Sequence, residues 1–176
     1  SNEELSPPSG LCFSHDGNLL LSDDFNHRVQ IYDSQFNLLN SFGSKGKEPG
    51  QFQYPKGIAV DPEGNIYVAD SWNHRVQKFD AKGTSLLTFG TCGDGKGELN
   101  EPYDIMVEPS GNLIVVERYN HRIQFFDPQG LSLGWLGDRG TVLERQLAEL
   151  LGTPENLLDP ILFELPTSIA KDSHGN

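Results

Sequence analysis

The chain has 176 residues, room for one domain or two small ones, and its 36% hydrophobic content, with 10 Phe, 5 Tyr and 2 Trp, excludes disorder as a description of the whole. A formal charge of −12 argues against nucleic acid and anionic membranes, whose binding runs on a basic surplus, and no apolar run approaches the roughly 18–20 residues of a membrane-crossing helix. The 19 Gly and 11 Pro favour short strands and turns over long helices.

The opening residues Ser1-Asn2-Glu3-Glu4 lack the basic and apolar regions of a signal peptide, and the compartment stays open. From about residue 5 the chain repeats itself. Gly17-Asn18, Gly64-Asn65 and Gly111-Asn112 are 47 residues apart. So are Asn26-His27-Arg28, Asn73-His74-Arg75 and Asn120-His121-Arg122, each followed by an apolar residue and a glutamine, Gln30, Gln77 and Gln124. Pro8, Pro55 and Pro102 keep the same register. A period of this size marks stacked supersecondary units. The first unit spans about 5–47, the second about 52–94 and the third about 99–137.

The second unit is the easiest to read. Gly57 to Asp61 predicts a short apolar strand, and Pro62-Glu63-Gly64-Asn65 a turn in which Gly supplies the positive φ. Ile66 to Asp70 predicts a second strand, Ser71-Trp72-Asn73 a turn, and His74 to Phe79 a third strand. After the turn Asp80-Ala81-Lys82-Gly83 comes a fourth strand, Thr84 to Phe89. Leu19-Leu20-Leu21 in the first unit and Leu113 to Val116 in the third are continuous apolar runs, the signature of strands buried on both faces. Stacked four-stranded blades bury their strands in this way, whereas a flat meander does not.

Beyond the third unit, Thr141-Val142-Leu143-Glu144 matches a capping box, and Leu147, Leu150 and Leu151 follow at helical spacing up to Gly152. This predicts a helical insertion over about 141–160, read either as a loop packed on its own unit or as a lid or contact with a second chain. Pro166 and Gly175-Asn176 resume the pattern 17 residues late, so a fourth unit begins at about 165–176 with a single strand.

The stretch from Pro55 to Gln77, Pro-Lys-Gly-Ile-Ala-Val-Asp-Pro-Glu-Gly-Asn-Ile-Tyr-Val-Ala-Asp-Ser-Trp-Asn-His-Arg-Val-Gln, resembles the NHL repeat. The other units match with substitutions: Cys12 and Met106 stand where Ala59 does, and Glu117 where Asp70 does. The resemblance implies an all-β fold of β-propeller blades, each of four antiparallel strands. Here that means a partial propeller of three blades plus one strand. NHL propellers typically have six blades, so two outcomes are expected: a homodimer completing the ring, or missing blades in a longer parent chain. The resemblance further implies a non-catalytic platform for a protein or peptide ligand, acting through one rim face. Related six-bladed propellers include metal-dependent hydrolases and lyases, and some NHL proteins bind single-stranded RNA, which the acidic balance here opposes.

Residues that differ between units are the better binding candidates. Before each Asn-His-Arg stands an aromatic, Phe25, Trp72 or Tyr119, and before that Asp24, Ser71 or Arg118. Ser9, Lys56, Tyr103 and Thr167 stand at the start of the innermost strands and are expected on the same face, at the mouth of the channel. The predicted site is therefore Phe25, Trp72, Tyr119, Asp24, Arg118, Lys56 and Tyr103. Either these rings form an exposed interface set or each covers its own turn. The constant residues read as architecture. Arg28, Arg75 and Arg122 should pair with Asp23, Asp70 and Glu117 of the neighbouring strand. His27, His74 and His121 lie too far from a propeller axis to share a metal, whose ligand nitrogens need roughly 3–4 Å between them, and are expected to fix their own turns. No metal, cofactor or catalytic set is expected. Asp104, with Asp61 and Glu108, is the only material for a calcium site, and Cys12 and Cys92 read as separate, unreactive thiols.

Overall fold

The computed structural model describes residues 7–137. The expected helical insertion, Thr167 and the start of a fourth blade lie outside them. Twelve strands form three four-stranded antiparallel sheets. The first sheet runs β1 (Gly10–Phe13), β2 (Leu19–Asp23), β3 (Arg28–Tyr32) and β4 (Leu38–Phe42). The second runs β5 (Pro55–Val60), β6 (Ile66–Asp70), β7 (Arg75–Phe79) and β8 (Ser85–Phe89). The third runs β9 (Pro102–Val107), β10 (Leu113–Glu117), β11 (Arg122–Phe126) and β12 (Ser132–Gly137). Each sheet is a meander in which every strand pairs with the next in sequence. The first strands of the sheets, β1, β5 and β9, lie side by side, so the sheets stack like blades around an axis.

The sequence pattern explains these elements closely. β6 and β10 are buried along their whole length, as their unbroken apolar runs require. Gly17, Gly64 and Gly111, at φ 80°, 86° and 88°, close the hairpins between first and second strands, where a side chain would be strained. Gly57 serves a different purpose: a Cβ there would stand 2.5 Å from the Asp104 Cα, so its bare backbone lets β5 approach β9. The third strand begins one residue later than predicted, at Arg75 instead of His74. His74 is in the left-handed conformation and ends a short 3-10 turn, Ser71–Asn73.

The core lies between blades. Leu20, Val29 and Ile31 of the first sheet meet Ile58, Ile66, Val68 and Phe79 of the second. Ala59, Tyr67 and Val76 of the second meet Ile105, Leu113, Val115 and Phe126 of the third. Each cluster also takes a residue from the connection between blades, Phe52 in one and Leu99 in the other, both fully buried. Burying such a side chain contributes about 1.5–3 kcal/mol, which makes each connection part of the core.

Candidate functional site

The repeated residues form a staple between each connection and the blade that follows it. In the second blade the buried Asp70 carboxylate accepts from the Gln53 N–H, Asn73 Nδ2, Arg75 Nε and Gln77 Nε2. Arg75 pairs with it at 2.7 Å and donates onward to the carbonyls of Lys47, Glu48 and Gln51. Gln77 accepts from the Gly50 N–H and donates to the Gln51 carbonyl. In the third blade Glu117, Asn120, Arg122 and Gln124 reproduce this set on residues 93–98, with the Arg122–Glu117 pair at 2.6 Å. Arg28 pairs with Asp23 at 2.9 Å in the first blade, as the sequence predicts. Burial pushes the Asp70 and Glu117 carboxyls up, against the pull of these donors.

The His27 and His74 backbone N–H groups close their own turns on the Asp24 and Ser71 carbonyls, as expected, while their rings reach farther. His27 Nδ1 accepts from the Tyr54 N–H at 3.1 Å, and His74 Nδ1 from the Glu101 N–H at 3.2 Å. Each ring crosses to the start of the next blade, where Tyr54 and Glu101 are themselves left-handed, at φ 52° and 47°. The staple thus clamps the connection behind a blade, and the histidine clamps the one ahead.

The variable residues converge on a cleft of about 350 Å³ at the end of the sheets where β5 and β9 begin. Asp24 and Phe25 line it from the first blade and Lys56, Ser71 and Trp72 from the second. Tyr103 and Arg118 complete it from the third. Lys56 Nζ donates to Asp24 Oδ2 at 2.6 Å and lies 3.1 Å from Ser9 Oγ. Burial pushes the Asp24 carboxyl up, but the Lys56 and Ser9 hydrogen bonds outweigh it and hold it below the usual range. The Tyr103 ring has Lys56 Nζ 5.4 Å from its centroid and the Arg118 guanidinium 5.5 Å from it. Trp72 packs on Tyr54 with centroids 4.4 Å apart, and Phe25 meets Tyr54 edge-on at 5.7 Å.

Phe25 and Trp72 remain 61% and 55% exposed, so neither is a closed cap on its turn. Tyr119 is also exposed, but it stands outside the cleft lining, 5.3 Å from the Arg118 guanidinium. The sequence reading missed Tyr54 and Glu101, which line the cleft just before the repeat prolines. Their signal was their difference at equivalent positions, 47 residues apart.

Other candidates stay separate. Asp61 sits at the opposite end of β5, bonded to Asn65 and 3.4 Å from Lys78, within its own blade. No group of three His, Cys, Asp or Glu side chains stands close enough to hold a metal ion among the described residues. Cys12 and Cys92 are unbonded thiols, and burial pushes the Cys12 thiol up to about 12, far from nucleophilic at neutral pH. A second groove of about 210 Å³ lies at the far end of the first two blades, between the turns at Ser14–Asn18 and Pro62–Gly64.

The NHL repeat family pattern matches residues 52–79. No curated protein matches the chain by sequence. Among solved structures, a streptogramin B lyase superposes with a TM-score of 0.61 at 17% identity, covering 77% of this chain and 42% of its own. A virginiamycin B lyase from Staphylococcus aureus gives 0.60 at 16% identity, with 77% and 43% covered. A gluconolactonase from Xanthomonas campestris gives 0.61 at 19% identity, with 79% and 50% covered. At these identities the likeness shows the fold alone, a β-propeller. The chain spans half or less of the length of these three structures.

Proposed function

We propose that this NHL-repeat propeller chain is a non-catalytic binding module that takes a segment of another protein at the rim cleft between its three blades. One observation carries the reading. In a chain that repeats its staple residues in every blade, the variable rim residues other than Tyr119 meet in one cleft, and all but Ser71 are aromatic or charged. Stacking between blades explains the constant positions and asks nothing of the variable ones. Trp, Tyr and Arg, all present in the cleft lining, are the residue types that dominate protein recognition.

Selection of random peptides on the immobilised chain tests this. Selected peptides should lose at least about tenfold in affinity for Trp72→Ala and keep it for Glu63→Ala in the far groove. Peptides indifferent to Trp72 and sensitive to Glu63 would refute the cleft reading.

A further inference from the structure

Arg118 departs from the other cations of the rim. Arg28, Arg75 and Arg122 each place Nε on a carboxylate, and Arg75 and Arg122 place their remaining nitrogens on carbonyls. Lys56 is matched by Asp24 and Ser9. Arg118 makes no ion pair among the described residues. Its guanidinium lies 5.5 Å from the Tyr103 ring centroid and 5.3 Å from that of Tyr119. Its Nε is buried without a hydrogen-bond partner, and so is the Ser71 hydroxyl at the equivalent position one blade back. Ser71 is 1% exposed, and both residues line the cleft. A buried polar atom left unmatched costs free energy, which marks this end of the cleft as a place where an acceptor would bind.

Resting on the module reading above, we propose that the cleft recognises an acidic side chain of its peptide partner, whose carboxylate pairs with Arg118. A guanidinium presents paired donors matched to a carboxylate, and here it lies near two tyrosine rings. A carboxylate seated in this cleft would offer acceptors to the Arg118 guanidinium. Lys56 is already paired with Asp24, which leaves Arg118 as the lining cation without an ion pair among the described residues. A single carboxylate matches that one cation, whereas a polyanion would meet the Asp24 and Glu101 carboxylates of the lining and a chain of net charge −12. The Trp72–Tyr54 pair beside it offers an apolar shelf, so the partner segment should carry an apolar residue next to the acidic one.

The test uses the full ¹⁵N-labelled chain with two probes, acetyl-Leu-Glu-Leu-amide and acetyl-Leu-Gln-Leu-amide. The Arg118 Nε–H and Trp72 indole resonances should move saturably with the Glu peptide while the Trp135 indole, in β12, stays still. The Gln peptide should bind about tenfold more weakly, the scale of one charged hydrogen-bonded contact. Arg118→Gln should erase that difference, and the comparison of the two peptides on the unmutated chain decides the matter even if this variant folds poorly. Equal affinity for the two peptides overturns the carboxylate inference and leaves the module reading standing. Silence at both resonances in a chain that still captures selected peptides overturns it as well.

Discussion

His27, His74 and His121 each hold a left-handed backbone, at φ 56°, 53° and 53°, a conformation in which a β-branched residue would be strained. The first two use their rings to accept a backbone N–H of the next blade. That role needs a neutral Nδ1. Burial, helped by the nearby Lys45, depresses the His27 pKa, while Asp24 and Asp70 oppose the shift. A histidine depressed in the folded state contributes stability that is present above its unfolded value near 6.5, about where a free imidazole titrates, and lost as pH falls through the lower folded value. The urea midpoint of the chain should therefore drop between about pH 7.5 and 5.5, and His27→Gln should show a smaller drop. An unchanged pH dependence in that variant would contradict the assignment. A second expectation concerns Gly57. Adding a methyl group where 2.5 Å separates it from the Asp104 backbone should cost several kcal/mol, about 1–3 for overpacking alone, read by the same denaturation curves. The histidine role escaped sequence reasoning because its partner is backbone, which leaves no residue signature.

At the scale of elements, the connections between blades carry more than their sequence suggests. The connections are Gly-rich at Gly43 to Lys47 and at Gly90 to Gly95, yet each drops one apolar side chain, Phe52 or Leu99, into the interblade core and offers its carbonyls to an arginine of the following blade. The strands were legible from their apolar runs, and the arginine–carboxylate pairs from the register of adjacent strands. The binding of whole connections was not, because it depends on carbonyl positions. Removing the arginine exposes the logic. Arg75→Met leaves Asp70, fully buried, without its cation and frees the connection carbonyls, a change expected to cost about 3–5 kcal/mol. The double variant Asp70→Asn with Arg75→Met should recover part of that loss, since it removes the stranded charge. If the double variant is less stable than Arg75→Met alone, the buried pair is not what holds the connection.

For the whole molecule, the period of 47 residues made the propeller legible, and the positions that break the period pointed to most of the cleft. Tyr54 and Glu101 were hidden because residues preceding a proline read as spacers. The first blade exposes apolar side chains at both edges of its sheet: Leu11 and Phe13 on β1 are 65% exposed each, and Leu38 and Leu39 on β4 are also exposed. In that blade Gln30, fully buried, has no hydrogen-bond partner among the described residues, where Gln77 and Gln124 hold connections. We propose that a second copy covers apolar side chains of this blade in solution, giving a species near twice 19.5 kDa by light scattering, and a monomer at every concentration would contradict that. Under the proposed function, constant positions hold the blades together and variable ones recognise a partner. Amide hydrogen exchange of the chain, with and without a library-selected peptide, tests it most directly. New protection is expected in the turns carrying Phe25, Trp72 and Arg118. Protection confined to the Ser14–Asn18 and Pro62–Gly64 turns of the far groove would contradict it.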